Sequence, residues 1–251
     1  MKVKILDLNV NYTKAGNKDQ AVILLHGWGQ NTSMMEPVSD YLSEFFTVYN
    51  LDFPGFGQSD TPNTTWGVDV YSEMLAKFIE ELDINNPIII AHSFGVRVAI
   101  YYAKDHDVKK MIFTGGAGIR PKRGLKYYTR TYSYKLAKQV LKLPGLSKKR
   151  EAMMKNAGSE DYRALSGAMR ASFVEIVNLD LTPYLKDIKC EVLLVWGSLD
   201  DATPLWMGQK MEREIPNAGL AVFENDGHYA YFNQMPRFLS VIDIFLKEDK
   251  V

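Results

Sequence analysis

The sequence predicts an α/β protein with a mostly parallel, doubly wound sheet and a helical cap inserted in it. Three observations carry that expectation. Short apolar runs alternate with segments of helical period, which means a sheet with helices on both faces. Several runs are unbroken Val/Ile/Leu, the pattern of strands buried on both faces of a parallel sheet. The alternation fails between 119 and 186, where helical period continues and strand character fades.

The expected strands are Val3–Leu8, Ala21–Leu25, Thr47–Leu51, Ile88–Ala91, Met111–Thr114, Glu191–Trp196 and Leu220–Phe223. One amphipathic helix is read from Tyr71, Met74, Leu75, Phe78, Ile79 and Leu82, spaced on one face. Another is read from Phe238, Val241, Ile242, Phe245 and Leu246. Thr203-Pro204 reads as an N-cap followed by proline at the first helical position. Inside the insertion, Leu136, Val140 and Leu143 mark one helix and Tyr162, Leu165 and Met169 another, punctuated by Pro121, Pro144-Gly145 and Pro183. The division expected is a core of 1–118 plus 187–251, with a cap of 119–186 over the edge where open α/β sheets bind ligands.

Composition narrows the function classes. A chain of 251 residues suits a single α/β domain with an insertion. It buries about 70–75% of its unfolded surface and needs no disulfide or metal to fold. Lys plus Arg and Asp plus Glu both number 30, so global charge makes no case for nucleic-acid binding. The lone Cys190 excludes an intramolecular disulfide and any multi-cysteine metal site. No His/Asp/Glu cluster has metal-ligand spacing, so neither metal nor cofactor is expected. Asp7 interrupts the N-terminus before a signal-type apolar region can form. No apolar run approaches the ~20 residues of a membrane span. The expectation is a cytoplasmic protein without a transmembrane segment.

Three places carry chemistry. In Ile88-Ile-Ile-Ala-His-Ser-Phe-Gly-Val96 a strand ends in small-x-Ser-x-Gly and a helix follows. Small residues at Ala91 and Gly95 permit a tight strand-to-helix turn that exposes the Ser93 hydroxyl at a helix N-terminus. A second apolar strand ends in Gly197-Ser-Leu-Asp200-Asp201, and a third in Asn225-Asp-Gly-His228. A serine hydroxyl is a weak nucleophile, so His228 is read as its base. An aspartate then orients the imidazole and stabilises the imidazolium. The chain order Ser93, Asp200, His228 is that of one triad type.

These pieces resemble the α/β-hydrolase superfamily over nearly the whole chain. The matching motifs are His26-Gly-Trp28-Gly29, Asp52-Phe-Pro-Gly-Phe-Gly-Gln-Ser-Asp60, the Ser93 turn, Gly197-Ser-Leu-Asp200 and Gly227-His228. The resemblance implies an α/β-hydrolase fold and selects Asp200 over Asp201 through Gly-x-x-Asp. It implies backbone amides of Trp28 and Phe94 as an oxyanion hole, with Asp52 and His92 structural. Ala91 and Val96 replace the family's usual outer glycines at the turn. A serine there argues against the aspartate-nucleophile branches. Tyr229 follows His228 where C–C bond hydrolases usually carry tryptophan.

The expected function is serine-dependent hydrolysis of a small carboxylic ester through an acyl-enzyme. Two alternatives stand beside it. One is cleavage of a C–C bond in a keto acid or of an acyl-carrier or coenzyme A (thio)ester. The other is a slow-turnover small-molecule receptor with a retained triad. Met34, Trp206 and Tyr229 are expected to line the substrate pocket. From Arg120 to Arg150 there are eleven Lys/Arg and no Asp/Glu, with Tyr127, Tyr128, Tyr132 and Tyr134 interleaved. The expected partner is a small-molecule acyl substrate, and such a basic cap can attract an anionic carrier or an acidic substrate.

Overall fold

The computed structural model describes residues 1–120, 129, 133, 137, 139, 141, 165 and 167–250. Most of the expected cap lies outside them, including Leu136, Val140, Leu143, Tyr162 and the four tyrosines of the basic segment.

Eight strands form one sheet in the order β1-β2-β4-β3-β5-β6-β7-β8. They are β1 (Lys2–Ile5), β2 (Leu8–Ala15), β3 (Ala21–Leu25), β4 (Thr47–Leu51), β5 (Ile88–His92), β6 (Lys110–Thr114), β7 (Glu191–Gly197) and β8 (Ala218–Phe223). β1 and β2 pair antiparallel, as do β2 and β4; every other pairing is parallel. The expected mostly parallel sheet is present. The first expected strand, however, is two. Leu6 and Asp7 both have positive φ (47° and 63°), and Ile5 pairs with Leu8 around them. That is a two-residue turn matched to the right-handed strand twist. Leu-Asp lacks the Asn-Gly or Asp-Gly signature, so the alternation reads straight through it.

Alternate residues of the central strands enter opposite cores. Ile23, Leu25, Ile89, Ala91, Phe113 and Trp196 join one cluster; Val22, Leu24, Ile88, Ile90, Ile112 and Val195 join the other. The helices bounded within the described residues are α1 (Glu36–Leu42), α2 (Val68–Glu81), α3 (Phe94–Ala103), α4 (Gly167–Asn178), α5 (Leu205–Glu214), α6 (Ala230–Asn233) and α7 (Met235–Phe245). The first core is covered by α2, α3 and α5 through Tyr71, Phe78, Val98, Met207 and Met211. The second is covered by α1 and α7 through Val38, Leu42, Phe238 and Ile242. Helices on both faces make the sheet doubly wound. Met169 lies in α4, whereas Leu165 precedes that helix. Among the described residues, no helix is long and apolar enough to cross a membrane.

Parallel pairing aligns the strand ends. Residues following β5, β6, β7 and β8 therefore gather at one edge, the edge that holds the site.

Candidate active site

Ser93 is the residue between β5 and α3. Its backbone has φ 48° and ψ −105°, a conformation that costs a non-glycine residue about 1–3 kcal/mol. The surroundings fix it there. Its N–H donates to Thr114 O (3.1 Å), and its carbonyl accepts from Val96 N (3.2 Å) and Ala117 N (3.1 Å). Gly95 is obligatory for steric reasons: a Cβ there would sit 2.5 Å from Leu25 O. Ala91, the other small residue of the motif, is fully buried between neighbouring strands.

His228 lies in the loop after β8. Its Nε2 is 2.9 Å from Ser93 Oγ, and its Nδ1 is 2.8 Å from Asp200 Oδ2. An ionised carboxylate only accepts, so Nδ1 carries the hydrogen and Nε2 accepts from the serine hydroxyl. The loop is anchored by Asp226, whose carboxylate accepts from Gly227 N, Asn233 Nδ2 and Gln234 Nε2.

Asp200 sits in the turn after β7 and is buried. Its Oδ1 accepts from the amides of Ala202 (2.9 Å) and Thr203 (2.8 Å). Its Oδ2 accepts from His228 Nδ1 and from Thr203 Oγ1 (2.8 Å). Burial pushes this carboxyl up, but the bond to His228, the charge on that ring and the two Thr203 donors outweigh it. The net result is a pKa below the usual carboxylate value. Asp201, one residue on, is exposed at the cavity wall. The structure thus brings together Ser93, His228 and Asp200 as the motif spacing predicts.

Thr203 departs from its expected role. Helix α5 starts at Leu205 with Pro204 at its N-cap and no side-chain cap bond. The Thr203 hydroxyl lies within reach of Asp200 Oδ2, Gly115 O (3.0 Å) and His228 Nδ1 (3.2 Å). The sequence signal was present: a threonine three residues after an aspartate in a turn can return its N–H and O–H to that carboxylate.

A cavity of about 480 Å³ opens at Ser93 and His228, measured among the described residues. Trp28, Phe94 and Tyr229 line it. Met34 and Trp206, expected there, do not: Met34 ends a short 3-10 turn before α1, and Trp206 lies in the first turn of α5 as a 39%-exposed side chain. Trp28 packs edge-on to Phe56 and Phe94 (ring centroids 4.8 and 5.2 Å). Neither the Trp28 nor the Phe94 amide donates to a protein acceptor among the described residues. Both N–H groups are therefore available to a ligand oxygen.

Two further histidines are buried. His26 accepts from Phe53 N at Nε2 (3.0 Å) and donates from Nδ1 to Gly27 O (2.7 Å). Burial holds its pKa at about 4. His92 donates from Nδ1 to Thr114, and its ring lies 4.8 Å from that of His228. Burial, and then the neighbouring His228, hold its pKa at about 3. Both rings are neutral and neither hydrogen-bonds to Ser93, although His92 lines the cavity beside it. Asp52 is likewise built into the frame. Its carboxylate accepts from Asn11 Nδ2 and from the amides of Thr32 and Gln58. Burial pushes the Cys190 thiol up to about 11, leaving it a poor nucleophile.

The family model described as "alpha/beta hydrolase fold" matches residues 20–234. The chain belongs to the α/β-hydrolase family. A 2-hydroxy-6-oxononadienedioate/2-hydroxy-6-oxononatrienedioate hydrolase of Burkholderia vietnamiensis is 25% identical, covering 96% of this chain and 92% of that protein. A 2-hydroxy-6-oxo-6-phenylhexa-2,4-dienoate hydrolase of Comamonas testosteroni is 26% identical over 96% and 92% of the two chains. Among solved structures, an esterase from Exiguobacterium antarcticum superposes with a TM-score of 0.77 at 21% identity, covering 98% of each chain. A meta-cleavage product hydrolase from Pseudomonas fluorescens gives 0.75 at 23%, covering 100% and 98%. At those identities the structural likeness establishes the fold of this hydrolase, and the relatives divide between ester and C–C bond chemistry.

Proposed function

We propose that this hydrolase cleaves a carboxylic ester through a covalent acyl-enzyme on Ser93. The observation that carries the reading is the unbroken relay Ser93 Oγ, His228 Nε2, His228 Nδ1, Asp200 Oδ2, set on a strained turn at the cavity. Ser93 Oγ attacks the ester carbonyl while His228 takes its proton. Asp200 holds the ring in the tautomer that leaves Nε2 free and stabilises the imidazolium. The amide N–H groups of Trp28 and Phe94 donate to the developing oxyanion; losing one such donor costs roughly 3–4 kcal/mol of transition-state stabilisation. His228 then protonates the leaving alcohol, activates water against the acyl-enzyme and returns the proton to Ser93. In this reading no cofactor takes part.

A second reading has a specific observation behind it. The Burkholderia and Comamonas relatives are named as hydrolases of keto-dienoates. The same three side chains can serve C–C bond hydrolysis, with the bond cleaved as the difference.

A matched panel separates them: 4-nitrophenyl esters of increasing acyl length, the corresponding thioesters, and a 2-hydroxy-6-oxo-dienoate. The ester reading expects repeated turnover of an ester, lost in Ser93→Ala. A keto-dienoate turned over with far higher kcat/KM than any ester overturns it in favour of C–C chemistry. Single turnover with every substrate would point to the receptor alternative.

A further inference from the structure

We propose that Arg97 forms an anion-binding subsite in the wall of the cavity, so that the acyl group accepted by this hydrolase carries a carboxylate. The proposal rests on the ester reading above for the bond that is cleaved, but not for the binding itself.

Arg97 stands four residues after Ser93 on α3 and lines the same cavity. Helical side chains lean toward the N-terminus of their helix, which here is the Ser93 end. It is the single charged residue of Phe94-Gly-Val-Arg-Val-Ala-Ile-Tyr-Tyr-Ala103, and only 6% of it is exposed. A charge so placed is expensive unless paired. Nor does it help α3, whose N-terminal dipole end disfavours a cation.

Its protein partners do not account for the charge. Nη1 donates to Leu179 O at 2.9 Å, just past the end of α4. A guanidinium has five N–H donors, and this contact uses one. Among the described residues no carboxylate comes within 4 Å of it. Asp180 acts only at longer range, its carboxylate already accepting from Thr182 and the Arg120 amide. None of the Arg97 nitrogens is among the sealed, unpartnered polar atoms, and the residue lines the cavity. Burial draws its pKa down to about 10, which leaves it protonated at neutral pH.

The walls beside it are Ile119, Ile176, Val177 and Met207. An apolar lining of this kind strengthens a charge pair formed within it. A planar carboxylate fits the two-pronged donor geometry of a guanidinium.

The test compares two esters of equal acyl length, 4-nitrophenyl hemiglutarate and 4-nitrophenyl pentanoate. In the wild type, kcat/KM for the hemiglutarate is expected to exceed that for the pentanoate by about tenfold or more, the size of one charge-assisted contact. In Arg97→Met the ratio collapses toward one, chiefly through KM, and Arg97→Lys retains part of it. Absence of a preference in the wild type overturns the proposal. A ratio kept in Arg97→Met while both rates fall together also overturns it, since Arg97 would then only hold the end of α4.

Calorimetric titration of the wild type with glutarate and with neutral glutaramide needs neither turnover nor a stable variant. Glutarate is expected to bind at least about tenfold more tightly, and equal or absent binding of the two overturns the subsite. Glutarate binding without turnover of either ester would sink the ester reading and leave the subsite standing.

Discussion

Thr203→Val removes one hydroxyl and keeps the shape of the side chain. In the structure, Asp200 accepts four hydrogen bonds, two at each oxygen, and Thr203 supplies one from its backbone and one from its hydroxyl. Valine keeps the backbone donor, so the loss is confined to Oγ1. A hydrogen bond to a charged group contributes about 1.5–3 kcal/mol. The single Thr203 hydroxyl hydrogen is shared between Asp200 Oδ2 and Gly115 O, so the low end applies. About 1.5 kcal/mol is a tenfold effect, expected in kcat because it acts through the carboxylate that orients the base. KM should stay within about twofold, since the lost hydroxyl is bonded to Asp200 and Gly115 and the valine keeps the shape of the cavity wall. Steady-state ester hydrolysis by Thr203→Val and Thr203→Ser reads this directly, with serine restoring most of the rate. Unchanged kcat in Thr203→Val would refute the coupling to Asp200. An equal fall in both variants would show that the methyl group, not the hydroxyl, matters there.

Further outcomes follow from the same geometry. Asp200→Asn removes the charge behind His228 and should lower kcat by about 10³-fold or more. Asp201→Asn, on an exposed side chain outside the relay, should change it far less; the reverse ranking would reassign the acid. Stability should fall on mild acidification. His26 and His92 have folded pKa values of about 4 and about 3 against 6.5 unfolded, so the unfolded chain takes up protons first as pH drops below 6.5. Between pH 7 and pH 5 each buried ring removes about 2 kcal/mol, about 4 kcal/mol together. Urea unfolding at the two pH values measures it, and a flat profile would contradict neutral burial of these rings. Gly95→Ala places a methyl group 2.5 Å from Leu25 O, so β3 and α3 must move apart. A loss of about 1–3 kcal/mol, with reduced ester turnover, is expected in thermal unfolding and kinetic assays.

The core and the cluster of Ser93, Asp200 and His228 were legible in the sequence for a shared reason. Strands buried on both faces leave continuous apolar runs, and the chemistry follows directly where those runs end: Ser93 after β5, Asp200 after β7 and His228 after β8. Gly95 and Gly197 mark two of these turns because a Cβ would strike backbone there, Leu25 O at the first and Gly227 O at the second. What was not legible either lacks a local signature or depends on contacts distant in sequence. The Leu6-Asp7 turn carries no turn signature, and its positive φ angles are imposed by β1 pairing with β2. Thr203 reads as a cap because the Thr-Pro pattern is local, whereas its partners Gly115 and His228 arrive from other strand ends. Met34 and Trp206, expected at the cavity, are not among its lining residues, because chain neighbours on a helix or turn point different ways. The sequence signal for Arg97 is a lone cation in an otherwise apolar helix directly after the serine turn.

The most direct test of the account is the site of covalent labelling by a fluorophosphonate, which reacts with an activated serine. One equivalent should attach, the labelled peptide should carry it on Ser93, and His228→Ala should slow the reaction by orders of magnitude. Labelling on another residue, or an undiminished rate in His228→Ala, would contradict a Ser93 nucleophile activated by His228.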